Sequence, residues 1–208
     1  ALPKAGGTMT GNIATKGITS VTLGTSNFVA GVNAGNSIVS GGNYNTVVGD
    51  EAGTAITTGD YNTASGKSAL AANTTGSSNT AVGFAALDAN TTASSNTGVG
   101  FEALSANTTG ANNTASGYQA LKANTTASNN SAFGRHALQA NTTGTANAAM
   151  GEGALYTSTT GNFNVGLGAG ALYANTTASN NTAVGYDSLG ANTTGTQNVA
   201  VGTASLQA

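Results

Sequence analysis

The sequence predicts an all-β protein, a parallel β-solenoid (β-roll) built from 17-residue coils. Asparagine recurs every 17 residues from Asn45 to Asn198, and glycine recurs four positions later from Gly49 to Gly202, with no insertion or deletion. A 17-residue unit is too short for a pair of helices and too long for one strand, whereas short strands joined by Gly and Asn corners fit it. Ten coils stacked at the strand spacing of about 4.8 Å would form a rod roughly 43 Å long.

The composition favours a fold that buries small side chains. The chain has 208 residues, with 31 glycines, one proline, no cysteine and 6% charged residues. Leu, Ile, Val and Phe make up about 16% of it, less than the roughly 20% typical of a folded globule, but the net charge of −2 does not favour a repelled, disordered chain. Five scattered Lys and Arg residues argue against nucleic acid as a partner. No apolar run approaches the roughly 20 residues that membrane insertion requires.

The repeat divides the chain into three segments. Residues 1–26 form an N-terminal segment, residues 27–44 an irregular lead-in coil that resembles a coil opening displaced by one residue, and residues 45–208 ten repeats. We number these repeats as coils 1 to 10 and the positions within them as columns 1 to 17, starting at the asparagine. Because the chain starts without Met and stops eleven residues into coil 10, we expect it to be a fragment of a longer protein.

Two columns carry the larger apolar side chains, and we expect both to fill the coil interior. Column 9 is leucine from Leu70 to Leu206, with Gly53 as the exception in coil 1. Column 4 is mostly apolar, as at Val48 and Phe133, and is serine in coils 2 and 5.

Column 8 contains only small residues, alanine from Ala52 to Ala171 and then serine in the last two coils. Since neighbouring residues of a strand face opposite ways, column 8 should lie on the face opposite the leucines. We expect this face to be covered as well, most simply by another copy of the same chain. The alternative is a tight bend within one chain, which also excludes bulky residues.

Columns 12 to 14 read Asn-Thr-Thr and predict a corner at which stacked Asn side chains form amide ladders. The same Asn-x-Thr pattern matches a glycosylation acceptor. These matches fall at Asn73, Asn90, Asn107, Asn124, Asn141, Asn175 and Asn192. The two threonine columns, from Thr57 and from Thr58, leave an ice-binding surface as a less favoured alternative, although only one column could face outwards at a corner.

Column 6, directly after the glycine, is the most varied and is our candidate recognition site. Coils 3 to 7 carry Phe84, Phe101, Tyr118, Arg135 and Glu152 there. At about 4.8 Å per coil the rings would stack, with Arg135 over Tyr118 in a cation–π contact. Corner packing or a subunit contact is the favoured interpretation, and the functional one is a platform for a host-cell glycan. The candidate receptor-binding residues are Phe84, Phe101, Tyr118 and Arg135, and Tyr156 and Tyr173 form a second, shorter ladder in column 10.

Groups suited to catalysis are few and scattered, since the chain has seven carboxylates, one histidine and no cysteine. The nearest two acidic residues of column 7 lie three coils, or roughly 14 Å, apart, farther than the about 5 to 9.5 Å of paired glycosidase carboxylates. Asp50, Glu51 and Asp60 could gather around calcium but lack the spacing of a calcium loop, and His136 has no acidic partner in its own coil. We therefore predict a protein that is not an enzyme and holds no metal or cofactor.

Two resemblances to known families appear at this point. The segment from Leu2 to Ile13, Leu-Pro-Lys-Ala-Gly-Gly-Thr-Met-Thr-Gly-Asn-Ile, resembles the Leu-Pro-x-x-Gly-Gly-Thr-Met-Thr-Gly-x-Ile segment of bacteriophage tail-fibre proteins. The Asn-Thr-Ala-Val-Gly unit of residues 45–208 is similar to the Asn-Ser-x-Ala-Ile-Gly motifs of trimeric autotransporter adhesin heads. The second resemblance implies a left-handed parallel β-roll and a homotrimer, although this chain has a longer coil and an added Asn-Thr-Thr corner.

Together these features predict a homotrimeric segment of a phage tail fibre, located on the virion and serving as a shaft. A further expected role is binding to a glycan or protein of the host surface. The alternative is the head of a bacterial surface adhesin, located outside the cell.

Overall fold

The computed structural model describes residues 24–207, so the tail-fibre-like segment Leu2–Ile13 lies outside the described residues. Eleven strands of three residues each follow one another along the chain. They are β1 (Phe28–Ala30), β2 (Thr46–Val48), β3 (Thr63–Ser65), β4 (Thr80–Val82), β5 (Thr97–Val99), β6 (Thr114–Ser116), β7 (Ser131–Phe133), β8 (Ala148–Met150), β9 (Val165–Leu167), β10 (Thr182–Val184) and β11 (Val199–Val201).

The strands form one parallel sheet in chain order, each paired with the next. From β2 onwards the paired residues lie 17 apart, as Thr80 and Thr97 do, and this confirms the predicted frame and the β-solenoid. Ten strand intervals of about 4.8 Å give the stack a length of roughly 48 Å.

The lead-in coil has one extra residue, since Phe28 of β1 pairs with Thr46 of β2, 18 positions later. The backbone amide of Val39 also donates to a carbonyl 18 residues later in the chain, that of Thr57. The backbone amide of Asn43, in contrast, donates to Asp60 Oδ1, which is 17 residues later. The extra residue therefore lies in the corner between Val39 and Asn43, where Gly41 has a φ of 116°. The lead-in coil rejoins the 17-residue frame at this corner.

Column 3, not column 4, points into the coil. The middle residue of every strand is buried, as Val47 and Ala81 are at 0% exposure, whereas Met150 in column 4 is 54% exposed. Our expectation that column 4 fills the interior is wrong because a three-residue strand turns its first and third residues to the same, outer face. The interior is filled instead by the column 9 leucines and the small residues of columns 3 and 8.

Column 8 is covered by its own chain, so the expected contact with another copy at this column is also wrong. Its alanines, Ala103 for example, have 0% exposure in the single chain. Each column 9 leucine has a left-handed φ between 50° and 55°, which breaks the alternation of a strand. Neighbouring columns 8 and 9 can then both face inwards, which is the tight-bend alternative.

Two buried asparagine ladders lie within the stack, as the Asn corners predict: column 1 continues through every coil, and column 12 runs from coil 2 to coil 9 with a break at Ser158. In column 1, the side-chain Nδ2 of Asn62 donates to the Gly76 carbonyl at 2.9 Å. The backbone N–H of Asn62 donates to Asn45 Oδ1, also at 2.9 Å. In column 12, Asn90 Nδ2 donates to Asn73 Oδ1 at 2.7 Å. The column 12 side chains are fully buried from coil 2 to coil 6, so the Asn-x-Thr matches at these corners follow from the repeated corner and not from a sugar attachment site.

Coil 1 departs from the leucine column without leaving a void. Gly53 takes the place of leucine, and Ile56 takes the place of the column 12 asparagine. A Cβ on Gly53 would lie 2.8 Å from Ile56 Cδ1, so the isoleucine occupies the space that leucine fills elsewhere. Gly35 and Ile38 make the same exchange in the lead-in coil.

The column 5 glycines form the corner after each strand. Their φ values run from 122° to 145° in coils 1 to 10, a region that side chains rarely adopt. A Cβ on Gly134 would lie 2.5 Å from the Gly151 carbonyl oxygen in the next coil. Backbone stacking at this corner therefore requires glycine in every coil.

Candidate functional site

The glycine corner directs column 6 into solvent, and three rings stack there. Phe84, Phe101 and Tyr118 are 40% to 46% exposed. The ring centroids of Phe84 and Phe101 lie 5.2 Å apart, as do those of Phe101 and Tyr118, and the ring planes are nearly parallel. Each such pair contributes about 0.5 to 1.5 kcal/mol beyond its area burial.

The stack continues beyond column 6 and joins the tyrosine ladder of column 10. The His136 ring lies 5.4 Å from Tyr118 and 6.0 Å from Tyr156, and Tyr156 stacks on Tyr173 at 5.1 Å. The members of this aromatic row are Phe84, Phe101, Tyr118, His136, Tyr156 and Tyr173. The sequence offers His136 no acidic partner in its own coil, and nothing in the repeat indicates that its ring links column 6 to column 10.

Arg135 does not extend the aromatic row as a cation over Tyr118. Its Nη1 donates to Glu152 Oε1 at 2.7 Å, and His136 is the ring that follows Tyr118. An exposed pair of this kind contributes only about 0 to 1 kcal/mol. Its main effect is to hold both side chains in place beside the row.

A second polar network lies in columns 7 and 10 of coils 4 to 6. Glu102 Oε2 is 2.7 Å from Lys122 Nζ and accepts a 2.8 Å hydrogen bond from Gln119 Nε2. Gln139 Nε2 in turn donates to Gln119 Oε1 at 2.8 Å. The hydrogen bonds from Lys122 and Gln119 lower the pKa of Glu102. This carboxylate is therefore held in its charged form.

His136 is held in its neutral form. Partial burial, followed by the positive charge of Arg135, lowers the pKa of this imidazole below its usual value. A neutral imidazole can both donate and accept a hydrogen bond.

The outer face of the sheet carries an exposed apolar stripe in column 4. Its residues are Val82, Val99, Phe133, Met150, Leu167 and Val201, which are 37% to 71% exposed. Column 2 runs beside it and is mostly threonine. The polarity of column 2 was the sequence signal that column 4 also faces out, since the two share one face.

The threonines of column 13 use their hydroxyl groups within the stack. Thr74 Oγ1, for example, donates to the Thr91 carbonyl at 3.0 Å, whereas Thr75 in column 14 is exposed. The ice-binding alternative therefore has a single threonine column available at this corner.

The acidic residues of coil 1 make separate contacts. Asp50 lies 3.4 Å from Lys67 Nζ, and Asp60 Oδ1 accepts the Asn43 amide hydrogen at 2.7 Å. In the part of the chain that the structure describes, no three His, Cys, Asp or Glu side chains are grouped as metal ligands would be.

Residues 24–207 contain no helix with the length and apolar character needed to cross a bilayer.

Comparison with protein-family models, with curated proteins and with solved structures gives no match for this chain.

Proposed function

We propose that this chain is a structural segment of a bacteriophage tail fibre, a non-enzymatic virion component that forms a shaft and contributes to host attachment. The observation that carries the proposal is the uninterrupted stack of coils from β1 to β11, which makes a spacer of fixed length. The tail-fibre-like segment Leu2–Ile13 supports the viral assignment. The aromatic row supports a role in attachment.

The proposed fibre is a homotrimer, and its subunit contact lies on the apolar stripe. Monomeric proteins rarely expose large apolar patches, and such patches commonly mark interfaces. The stripe extends along the sheet face from coil 3 to coil 10 with one break at Ser116 in coil 5, so parallel copies can contact each other along most of their length. Column 8 is excluded from this role because it is buried inside the chain.

The trimer is tested by replacing three consecutive members of the stripe, Phe133, Met150 and Leu167, with serine. Serine already stands in this column at Ser65 and Ser116, so the coil accepts it. We expect the native chain to sediment at three times its own mass and the triple variant to sediment as a monomer.

The matched control replaces exposed aromatic residues in column 17, Tyr61 and Phe163, with serine. It should leave the trimer intact. A native chain that sediments as a monomer, or a triple variant that remains a trimer, would contradict the proposed interface.

Attachment is proposed to use the aromatic row and its neighbours Arg135 and Glu152. Aromatic faces stack on sugar rings, and a guanidinium donates several hydrogen bonds. Replacing both Tyr118 and Arg135 with alanine should weaken binding of the fibre to host cells and lower the melting temperature by only a few degrees, the part due to the lost Tyr118 ring contacts. Unchanged binding with a clear loss of stability would show that these residues have only a structural role.

The head of a bacterial surface adhesin is the alternative, and the repeat resemblance favours it. Immunogold labelling with an antibody raised against residues 45–208 distinguishes the two locations. Labelled phage tails support the fibre, and labelled bacterial surfaces in a culture free of phage support the adhesin.

A further inference from the structure

A groove opens beside the aromatic row on coils 6 to 9. Its volume is about 520 Å³, which lies within the roughly 300 to 1,000 Å³ range of ligand sites. Its lining includes Arg135, His136, Glu152, Tyr173, Tyr186 and Asp187.

Two glycines keep this groove open. Gly153 and Gly170 stand in column 7, where the other eight coils carry Glu51, Ser68, Ala85, Glu102, Gln119, His136, Asp187 and Ala204. Those residues have φ between 50° and 59°, so the backbone of column 7 does not require glycine. A Cβ on Gly153 would lie 3.4 Å from the Tyr173 ring, an ordinary van der Waals contact. The consequence of glycine here is that the groove lacks, at these two coils, the longer side chains that column 7 carries in coils such as 4, 5 and 6.

A second depression of about 400 Å³ lies on the other side of Tyr156, on coils 4 to 7. Lys122 and Gln139 supply its polar groups, and Ala106, Ala123 and Ala140 form its floor. Tyr156 lines both depressions. Together they follow the stack for five coil intervals, roughly 24 Å, so one extended ligand can occupy both.

The groups along this path favour an uncharged polyhydroxylated ligand. Each cation is already paired, Lys122 with Glu102 and Arg135 with Glu152, and Asp187 adds a further negative charge. An anionic ligand would therefore meet no free cation. A sugar hydroxyl can donate to these carboxylates and accept from the paired cations or from Gln139, while the tyrosine rings stack on the apolar face of a pyranose.

We infer that the two depressions on either side of Tyr156 form one binding groove for a neutral oligosaccharide. Tyr156 and Tyr173 stack on sugar rings, Gly153 and Gly170 admit a ring to the floor, and the paired side chains of Arg135 and Glu152 hold its hydroxyls. The inference deepens the proposed attachment function, on which it rests for the source of the sugar. It also moves the centre of recognition from coils 3 to 6 towards coils 6 to 9.

The groove is tested with the full chain by saturation-transfer difference NMR. The probes are maltotriose, cellotriose, mannotriose and triacetylchitotriose, with sialyllactose as the anionic comparison. We expect signal from at least one neutral trisaccharide and a signal at least tenfold weaker from sialyllactose. No signal from any neutral probe would overturn the inference.

The variant that fills the groove carries Gly153→Gln and Gly170→Gln, since Gln119 already stands in this column at a φ of 55°. The matched control is Ser68→Gln, in the same column of coil 2 and outside the groove. We expect the double variant to stay folded and to bind the selected trisaccharide at least tenfold more weakly. Its melting temperature should lie below that of the control, because both glutamines replace glycines at left-handed φ values of 63° and 69°. A folded double variant with the same affinity for the trisaccharide as the native chain would overturn the inference that this groove is the binding site.

Binding to bacterial cells, measured on the same proteins, separates this inference from the proposed function. If the double variant still binds cells and the trisaccharide as the native chain does, the groove is not the binding site, although the proposed attachment function is still supported. If the native chain binds the trisaccharide but no cells, the groove is supported as a binding site and the proposed attachment function is contradicted.

Discussion

Ser158 is the one place where the column 12 ladder is interrupted between coils 2 and 9. Its hydroxyl oxygen and the Oδ1 of Asn141 in the coil before are both buried without a hydrogen-bond partner. A buried polar group left unpaired costs about 1 to 3 kcal/mol. Asparagine at this position could donate to Asn141 Oδ1 and accept from Asn175 Nδ2, as its column neighbours do.

We therefore expect Ser158→Asn to stabilise the chain by about 1 to 2 kcal/mol, which corresponds to a melting temperature about 2 to 8 °C higher. Calorimetry or thermal circular dichroism measures the shift. Ser158→Ala is the control, because it removes one unpaired atom but leaves Asn141 unpaired, and it should give a smaller gain. An equal or lower melting temperature for Ser158→Asn would contradict the ladder argument.

His136 makes the stability of the chain depend on pH. The pKa of His136 is lowered in the fold. At a pH just below the unperturbed pKa of about 6.5, the unfolded chain therefore binds more protons than the folded chain. Stability should therefore be complete above that value and fall as the pH drops towards the folded pKa. His136→Gln, with Gln119 as its precedent in the column, should remove this dependence.

The chain has a single histidine, so its NMR titration is unambiguous. We expect a midpoint below that of a free imidazole. A midpoint at or above the unperturbed value would contradict the lowered pKa of His136 and the pH dependence of stability that follows from it.

At the scale of the coil, the two kinds of glycine predict different outcomes. Gly134→Ala forces a side chain into a disfavoured backbone region and against the Gly151 carbonyl, and we expect it to cost about 3 kcal/mol or more, since backbone strain alone costs 1 to 3. Gly153→Ala places alanine at a left-handed φ of 63°, but its Cβ meets no backbone atom of the next coil. Urea unfolding should show the larger loss for the first and a loss of only about 1 to 2 kcal/mol for the second. Similar losses in the free energy of unfolding for both variants would contradict the distinction between column 5 and column 7 glycines.

The strand itself shows where sequence reasoning succeeds and where it fails. The 17-residue frame follows from strict recurrence and is confirmed in every pair from β2 to β11. The inward face was assigned to column 4 by the size of its residues, whereas alternation with the polar column 2 would have assigned it to column 3. The leucine bend is harder to foresee, because a left-handed φ is uncommon for a residue of that size.

The candidate site was only partly predictable for a related reason. Stacking within a column follows from the repeat, so the contacts of Phe84, Phe101 and Tyr118 were foreseeable. Contacts between columns depend on how the corners bend, which the repeat does not specify. The link through His136 from column 6 to column 10 therefore required the structure.

At the scale of the stack, each of the eleven described strands contacts only the strands before and after it. The stability of such a stack is close to a sum of coil terms and nearest-neighbour interfaces. A local defect such as the one at Ser158 should then weaken one interface and leave distant coils unaffected.

The parallel register also has a mechanical consequence. The hydrogen bonds between coils run along the axis of the stack, so tension applied to the two ends of one chain loads them nearly in line and peels coils away in turn. Each released coil frees 17 residues and gives up one strand spacing, a gain of roughly 50 to 56 Å in contour length. Optical-tweezer traces should show steps of this size. Release of the entire rod in one event would contradict the predicted coil-by-coil unfolding. A fibre segment built this way would yield by discrete increments under a sudden pull.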